Sequence, residues 1–86
     1  MTNDEIKRTL LDALDLAEVY IKSDGSHYSI IAVGEMFAEL SRVKRQQAVY
    51  SPLAEKVADG TMHAVSIKTF TPDAWQREKA LHGPLD

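Results

Sequence analysis

The amino-acid sequence predicts an α+β domain of two layers, in which the elements follow the order α-β-β-α-β-α and three strands form a mixed sheet. Three observations support this prediction: a capped amphipathic helix near the start, two alternating segments joined by a glycine turn, and a long helical segment that leads into a third strand. The chain has 86 residues, of which 44% are hydrophobic, and this is enough apolar material for one compact core. We therefore expect a single domain over residues 1–86.

The first helix begins with a pattern that satisfies its own free amide groups. Thr2 stands three residues before Glu5, which is the spacing of a capping box. In this motif the hydroxyl and the carboxylate each accept a hydrogen bond from a backbone N–H near the helix start. Apolar residues then recur at helical spacing, and the pattern predicts a helix from residue 3 to about residue 14.

Two strand-like segments follow, with a turn signal between them. Residues 18–22 alternate and are rich in β-formers, and residues 23–26 contain Gly25, which can take a positive φ. Residues 27–33 then carry apolar side chains on both faces, as is typical of a central strand. We expect a β-hairpin whose second strand lies in the middle of the sheet.

The second half of the chain predicts a long helical segment, a strand and a final helix. Residues 34–40 fit a loop with a short helical turn, and Ser41 fits the cap of a helix that runs to residue 50. Pro52 marks a kink or a fresh start, and the helical segment ends near residue 60. Residues 63–70 alternate as a third strand. Thr71 and Pro72 then open the last helix, which Trp75 anchors to the rest.

Two histidines stand where the second and third strands begin, His27 and His63. A long crossover usually joins parallel strands, so we expect both histidines at the same end of the sheet. Neighbouring strands lie ~4.8 Å apart and imidazole is a common metal ligand, so the pair predicts a shared metal or cluster site. The alternative is that each is an ordinary polar residue at a strand end. His82, in the tail, is expected to be solvated.

The chain contains no cysteine, which limits any metal site that it forms alone. It can supply neither a disulfide, nor a thiolate nucleophile, nor a cysteine-ligated zinc or iron–sulfur site. Two histidines are too few for a closed zinc site, so the remaining ligands must come from another molecule. The sequence shows no phosphate-binding glycine loop and no paired-carboxylate motif, and turn chemistry explains Asp24 and Ser26. We do not expect an enzyme and predict no catalytic residues.

Four basic residues form the other candidate site: Arg42, Lys44 and Arg45 early in the long helix, and Lys68 on the third strand. Arg42 and Arg45 are three residues apart, so they share a helix face on which they could clamp phosphates. The alternative is a solvated helix face, because acidic residues lie close in sequence. The net charge of −3 also argues against a dedicated nucleic-acid-binding protein. The polar, acidic start of the chain shows no signal peptide, so we expect a cytoplasmic protein.

Residues 63–75, His-Ala-Val-Ser-Ile-Lys-Thr-Phe-Thr-Pro-Asp-Ala-Trp, resemble the C-terminal signature of the BolA family. Residues 24–27, 31–37 and 41–47 are particularly similar to the IbaG-like subgroup of that family, and the resemblance covers nearly the whole chain. The resemblance implies a class II KH-like fold, which agrees with the element order predicted from the residues. It also implies links to iron homeostasis, iron–sulfur trafficking and acid stress.

The same resemblance implies a partner and a cofactor. BolA-like proteins pair with monothiol glutaredoxins and share a 2Fe–2S cluster, for which the glutaredoxin cysteine and glutathione supply thiolates and the BolA protein supplies histidine. His63 matches the family histidine at the start of the third strand, and His27 matches a position that carries His or Cys. Histidine ligation raises the potential of such a cluster.

One segment departs from the family pattern. Many relatives carry Arg-His-Arg early in the long helix, whereas residues 45–47 here read Arg-Gln-Gln. A glutaredoxin partner protein is therefore the leading interpretation. A nucleic-acid-binding regulator that uses the four basic residues is the alternative.

Overall fold

A computed structural model describes residues 2–25 and 27–82 of the chain. The helices are α1 (Asn3–Ala13), α2 (Arg42–Tyr50), α3 (Ala54–Ala58) and α4 (Pro72–Glu78), and the strands are β1 (Glu18–Asp24), β2 (His27–Val33) and β3 (Ala64–Phe70). Short 3₁₀ turns occupy Glu35–Glu39, Ser51–Leu53 and Lys79–His82. The order confirms the predicted α+β fold. The turn that contains Pro52 divides the long helical segment into α2 and α3, because proline cannot donate the hydrogen bond that a helix interior needs.

The three strands form one mixed sheet in the order β1-β2-β3. β1 pairs antiparallel with β2, and β2 pairs parallel with β3, as the hairpin and the long crossover predicted. β1 extends two residues beyond the prediction, because Gly25 turns tightly at a φ of 64° and lets pairing continue to Asp24. β3 begins at Ala64, so the predicted strand start at His63 is wrong by one residue. Ser26 lies outside the described residues.

Hydrogen bonds at three helix starts confirm the predicted caps. The Thr2 hydroxyl accepts from the Glu5 backbone N–H at 3.1 Å, and the Glu5 carboxylate accepts from the Thr2 N–H at 3.0 Å. Ser41 and Thr71 cap α2 and α4 by accepting from the N–H three residues ahead, at 3.2 and 3.3 Å. Within the described residues, no helix has the length and apolar character that a membrane crossing requires.

The main core lies on the face of the sheet that is covered by the helices before β3. Its buried side chains come from these helices, from the connecting segments and from alternate positions of β1 and β2. They are Ile6, Leu10, Val19, Ile21, Tyr28, Ile30, Ala32, Phe37, Val49, Leu53 and Met62. Burial of one large apolar side chain stabilises a fold by ~1.5–3 kcal/mol, so this face supplies most of the stability.

Within the part of the chain that the structure describes, helix α4 covers the opposite face of the sheet at one end. Tyr20 and Phe70 alternate with core-facing residues, and Trp75 of α4 packs against their rings with centroid distances of 5.6 and 5.3 Å. Trp75 is 1% exposed, which confirms that it anchors the last helix. The fold therefore has two layers over most of the sheet and a further helix contact where β3 ends. At the other end, none of the helices described here covers this face.

Candidate metal centre

His27 and His63 lie side by side at the end of the sheet where β2 and β3 begin. His27 is the first residue of β2 and is the Cα partner of Ala64 in the parallel register, which places His63 just beyond the pairing. The two imidazole rings have centroids 6.0 Å apart and planes inclined by 21°. Both residues are exposed. The structure thus brings together the two histidines that the sequence nominated, and their use as ligands stays a prediction.

The loop before His63 is held on both sides. Asp59 accepts a hydrogen bond from the Thr61 N–H at 2.9 Å, and Gly60 turns the chain with a φ of 85°. Hydrogen bonds from the side chain and backbone of Thr61 hold the pKa of Asp59 below its ordinary value of 3.8. Met62 is fully buried in the core, and its N–H donates to the carbonyl of Lys56 at 3.1 Å. His63 therefore projects from a fixed backbone.

The spacing of the rings fits part of a metal coordination shell. Two imidazoles bonded at ~2.1 Å to one tetrahedral ion have ring centres roughly 5 Å apart. The observed 6.0 Å differs from this by about the amount that rotation of two exposed side chains supplies. Within residues 2–25 and 27–82, no group of three or more His, Cys, Asp or Glu side chains is placed to hold a metal ion. The pair fits a site that a second molecule completes.

Asp24, which the sequence pattern places in the turn, is a neighbour of this pair. It ends β1 directly opposite His27 in the antiparallel register. Residues that face each other across two strands have Cβ atoms ~4.5–5.5 Å apart, so the side chains of Asp24 and His27 begin close together. The sequence does not indicate this pairing, because the turn signal at residues 23–26 predicts that the first strand stops at residue 22.

Three of the four basic residues lie together at a different place. Arg42, Arg45 and Lys68 line a cleft of about 520 Å³ between α2 and β3, whereas Lys44 is exposed outside its lining. The Arg45 Nε donates to the carbonyl of Leu40 at 3.1 Å, which fixes the direction of the guanidinium. Within the same cleft, the Gln46 side-chain amide donates to the carbonyl of Ile67 on β3 at 2.8 Å.

The sequence predicts that His82 is solvated, and this prediction is wrong. His82 is half-buried, and its ring centroid lies 5.5 Å from the ring of Phe70 and 5.5 Å from that of Trp75. The 3₁₀ turn Lys79–His82 continues α4 and returns the chain to the sheet, which accounts for the difference. The tail beyond it lies outside the described residues.

Known proteins resemble this chain over most of its length. Residues 5–74 match the family model for BolA-like protein. The chain is 54% identical over 83 residues to acid stress protein IbaG of Escherichia coli strain K12, with 96% of this chain and 99% of that protein covered. It is 31% identical to DNA-binding transcriptional regulator BolA of Vibrio cholerae, with 87% and 72% covered. The solved structure of BolA1 from Arabidopsis thaliana gives a TM-score of 0.72 at 28% identity, with 85% and 96% covered.

Proposed function

This chain belongs to the BolA-like protein family, and from that premise we propose that it is a non-enzymatic, cytoplasmic partner of a monothiol glutaredoxin. In the proposed complex the two proteins hold one 2Fe–2S cluster between them, with residues 1–86 acting as a single domain. The complex serves iron–sulfur trafficking or the sensing of iron or acid stress. The approach of the His27 and His63 rings to 6.0 Å is the observation that carries the proposal.

The ligand set divides between the two proteins. This chain supplies imidazole nitrogen, and because it contains no cysteine, the thiolates come from the glutaredoxin cysteine and from glutathione. When bound, the cluster supplies a transferable iron–sulfur unit or a redox-sensitive group. The chain's own residues bind the cluster, orient it at the end of the sheet and keep that end accessible to the partner.

His63 is the principal ligand in this proposal, and His27 is the second ligand or a modulator. The ranking follows the family resemblance, because His63 matches the histidine at the start of the third strand, whereas His27 matches a position that carries His or Cys. His63 follows the buried Met62 and the hydrogen-bonded turn at Asp59, which hold its loop in place. His27 begins β2, which pairs with both β1 and β3. Both backbones are therefore preorganised for a ligand.

Reconstitution with a monothiol glutaredoxin and glutathione tests the proposal. Absorption and circular dichroism spectra should change when this chain is added, and His63→Ala should alter the spectrum and shorten the lifetime of the bound cluster. His82→Gln is the matched control, because it removes an imidazole from the opposite end of the sheet. If His63→Ala leaves both spectrum and lifetime unchanged, the ligand assignment is wrong.

A nucleic-acid-binding regulator is the second candidate, and the clustering of Arg42, Arg45 and Lys68 in one cleft favours it. The relative named as a DNA-binding transcriptional regulator supports the same candidate. Lys44, exposed beside the cleft, would add to the positive surface. Anisotropy with labelled duplex DNA over a range of salt concentrations tests it. Removal of one phosphate contact by Arg42→Gln should reduce the salt slope by about 0.9. A flat salt response rules the candidate out.

A further inference from the structure

The cleft between α2 and the edge of β3 has the size and charge of a site for a small anionic ligand. Its volume of about 520 Å³ lies within the ~300–1,000 Å³ that is typical of small-molecule sites. The charged side chains among its described lining residues are all cationic, namely Arg42, Arg45 and Lys68. The cleft therefore attracts a compact anion even though the net charge of the chain is −3.

The two arginines reach the cleft from α2. They are three residues apart, so their side chains lie on the same face of the helix. Arg45 is half-buried, and its Nε donates to the Leu40 carbonyl at 3.1 Å, which holds the guanidinium in one direction. Because this bond uses one of the N–H groups of the guanidinium, the terminal nitrogens remain as donors for a ligand.

The edge of β3 forms the other side of the cleft and adds a backbone donor. The carbonyl of Ile67 faces away from β2, because it accepts from the Gln46 amide, whereas the carbonyl of Phe70 accepts from the Gly34 N–H at 3.0 Å and faces β2. The N–H and C=O of one strand residue point to the same edge, and those of the next residue point to the opposite edge. The backbone N–H of Thr69, which lines the cleft, therefore points away from β2 as the Ile67 carbonyl does.

We propose that this cleft binds a terminal phosphate monoester carried on a ring-bearing group of nucleotide size, as in a nucleoside monophosphate. The two guanidinium groups, the Lys68 ammonium group and the Thr69 N–H donate hydrogen bonds to the phosphate oxygens, and those from the cations are charge-assisted. The apolar side chains of the lining contact the sugar and the base. They are Leu40, Ile67 and Phe70.

The placement of the cations favours a monoester over the phosphodiesters inside a nucleic-acid chain. Near neutral pH a phosphate monoester carries a charge of about −1.5 to −2 and presents three acceptor oxygens, whereas a phosphodiester carries a single negative charge. Three cations around one concave site match the monoester. A groove for a chain has cations that follow its backbone, whereas Lys44, the remaining basic residue of α2, lies outside the cleft lining.

This inference rests on the second candidate function only in that the same cleft receives a phosphate. It names which phosphate the cleft recognises, and it predicts binding without a nucleic-acid chain. It is independent of the proposed cluster function. The experiments therefore use the chain alone, without glutaredoxin or iron.

Amide chemical shifts of the ¹⁵N-labelled chain report binding of four probes at neutral pH: adenosine monophosphate, cyclic adenosine monophosphate, adenosine and inorganic phosphate. We expect saturable shifts centred on residues 42, 45, 68 and 69. The monophosphate should bind about 10-fold more tightly than the cyclic diester, which lacks one charged oxygen, and about 5-fold more tightly than inorganic phosphate, which lacks the apolar part. The proposal is overturned if the cyclic diester or adenosine binds as tightly as the monophosphate, or if the shifts stay linear with monophosphate concentration.

Two sources can supply the monoester, a free nucleotide or the phosphorylated end of a single strand. A short single strand with a terminal phosphate, compared with the same strand without it, separates them. Tighter binding of the phosphorylated strand identifies the strand end, and a preference for adenosine monophosphate over both strands identifies the free nucleotide. If duplex DNA binds with a steep salt dependence while the monophosphate and the cyclic diester bind equally, the second candidate function stands and this proposal fails.

Variants separate the cleft from general attraction to a positive surface. Arg42→Gln and Lys68→Gln should each weaken binding of adenosine monophosphate ~5-fold. Arg45→Lys keeps the charge but loses the planar fork, and it should weaken binding by a similar factor. Lys44→Gln is the matched control, because it removes the same charge from the same helix outside the cleft lining, and it should change the affinity by less than ~2-fold. Equal losses in Lys44→Gln and Arg42→Gln contradict the proposal.

Discussion

The two ends of the sheet both carry histidine, and they treat it in opposite ways. Where β2 and β3 begin, His27 and His63 are exposed and face each other at 6.0 Å. Where β3 ends, His82 is half-buried and packs 5.5 Å from Phe70 and from Trp75. The surroundings of an imidazole, rather than its presence, decide its use. A ring open to solvent can meet an external ligand set, whereas one packed among aromatic rings contributes to the fold.

The anchors of the two ends also differ. Trp75 is 1% exposed and holds the closed end, where β3 ends, through a large aromatic contact area. The open end, where β2 and β3 begin, depends on Met62, which is fully buried directly before His63, and on the hydrogen-bonded turn at Asp59. The closed end should therefore be sensitive to loss of aromatic packing, and the open end to changes that loosen one loop.

Trp75→Ala should have the largest effect on stability, because it removes the anchor of the closed end. A buried Trp replaced by Ala typically costs ~3–5 kcal/mol in the free energy of unfolding, which urea denaturation measures. Tyr50→Ala, at a residue 41% exposed, is the control and should cost under about 1 kcal/mol. A similar cost for both variants would show that α4 contributes little to the fold.

Met62→Ala tests the anchor of the open end and should rank second. The loss of a buried methionine side chain costs ~2–5 kcal/mol, and the backbone before His63 loses its fixed position. We therefore expect both a lower urea midpoint and a shorter lifetime of the shared cluster. Leu81→Ala, at a residue 81% exposed, should change stability by less than ~0.5 kcal/mol. A Met62→Ala chain with normal cluster lifetime would argue against loop anchoring.

Replacement of one histidine at each end gives the most direct comparison. His82→Ala removes two aromatic contacts and should lower the free energy of unfolding by ~1 kcal/mol. His63→Ala, at an exposed position, should change it by less than ~0.5 kcal/mol. The lifetime of the cluster with glutaredoxin should show the reverse order, with His63→Ala shortening it more than His82→Ala does. If His82→Ala shortens that lifetime more than His63→Ala does, the assignment of the two ends is wrong.

Acid should produce the smallest effect, through two exposed carboxylates. Hydrogen bonds with the backbone and side chain of Thr2 lower the pKa of Glu5 from 4.5, and those with Thr61 lower the pKa of Asp59 from 3.8. A lowered pKa in the folded state stabilises the fold above the unfolded value. That contribution is lost as the pH falls through the lower folded value. The free energy of unfolding should therefore decrease as the pH falls below about 4.5.

The double variant Glu5→Gln, Asp59→Asn checks the origin of this acid dependence. Thermal unfolding at neutral and acidic pH should show a flatter dependence in the variant than in the unaltered chain. Amide exchange should further show that residues 59–63 loosen before α4 does, because Asp59 supports the open end only. Identical pH profiles in both chains would contradict this origin.

Much of the fold follows from local sequence signals. The capping residues Thr2, Ser41 and Thr71 define helix starts because each hydroxyl acts on amides three residues away. The hairpin at Gly25 is equally local. The parallel pairing of β2 and β3 follows from the length of the crossover, and it was enough to bring His27 and His63 together.

The features that were missed depend on contacts between distant segments. His82 packs on Trp75 because the chain returns to the sheet after α4, and no residue near His82 signals this return. Such contacts arise from tertiary packing, which local propensity does not encode.

The hydrogen bond from the Gln46 amide to the carbonyl of Ile67 has a consequence for self-association. β3 lies at the edge of the sheet, and an open edge is a template on which a strand from another copy can add. The glutamine occupies one of the acceptors that an incoming strand would use. The Gln46 side chain on α2 thereby protects the edge of β3 and lowers the tendency of the folded chains to aggregate through that strand.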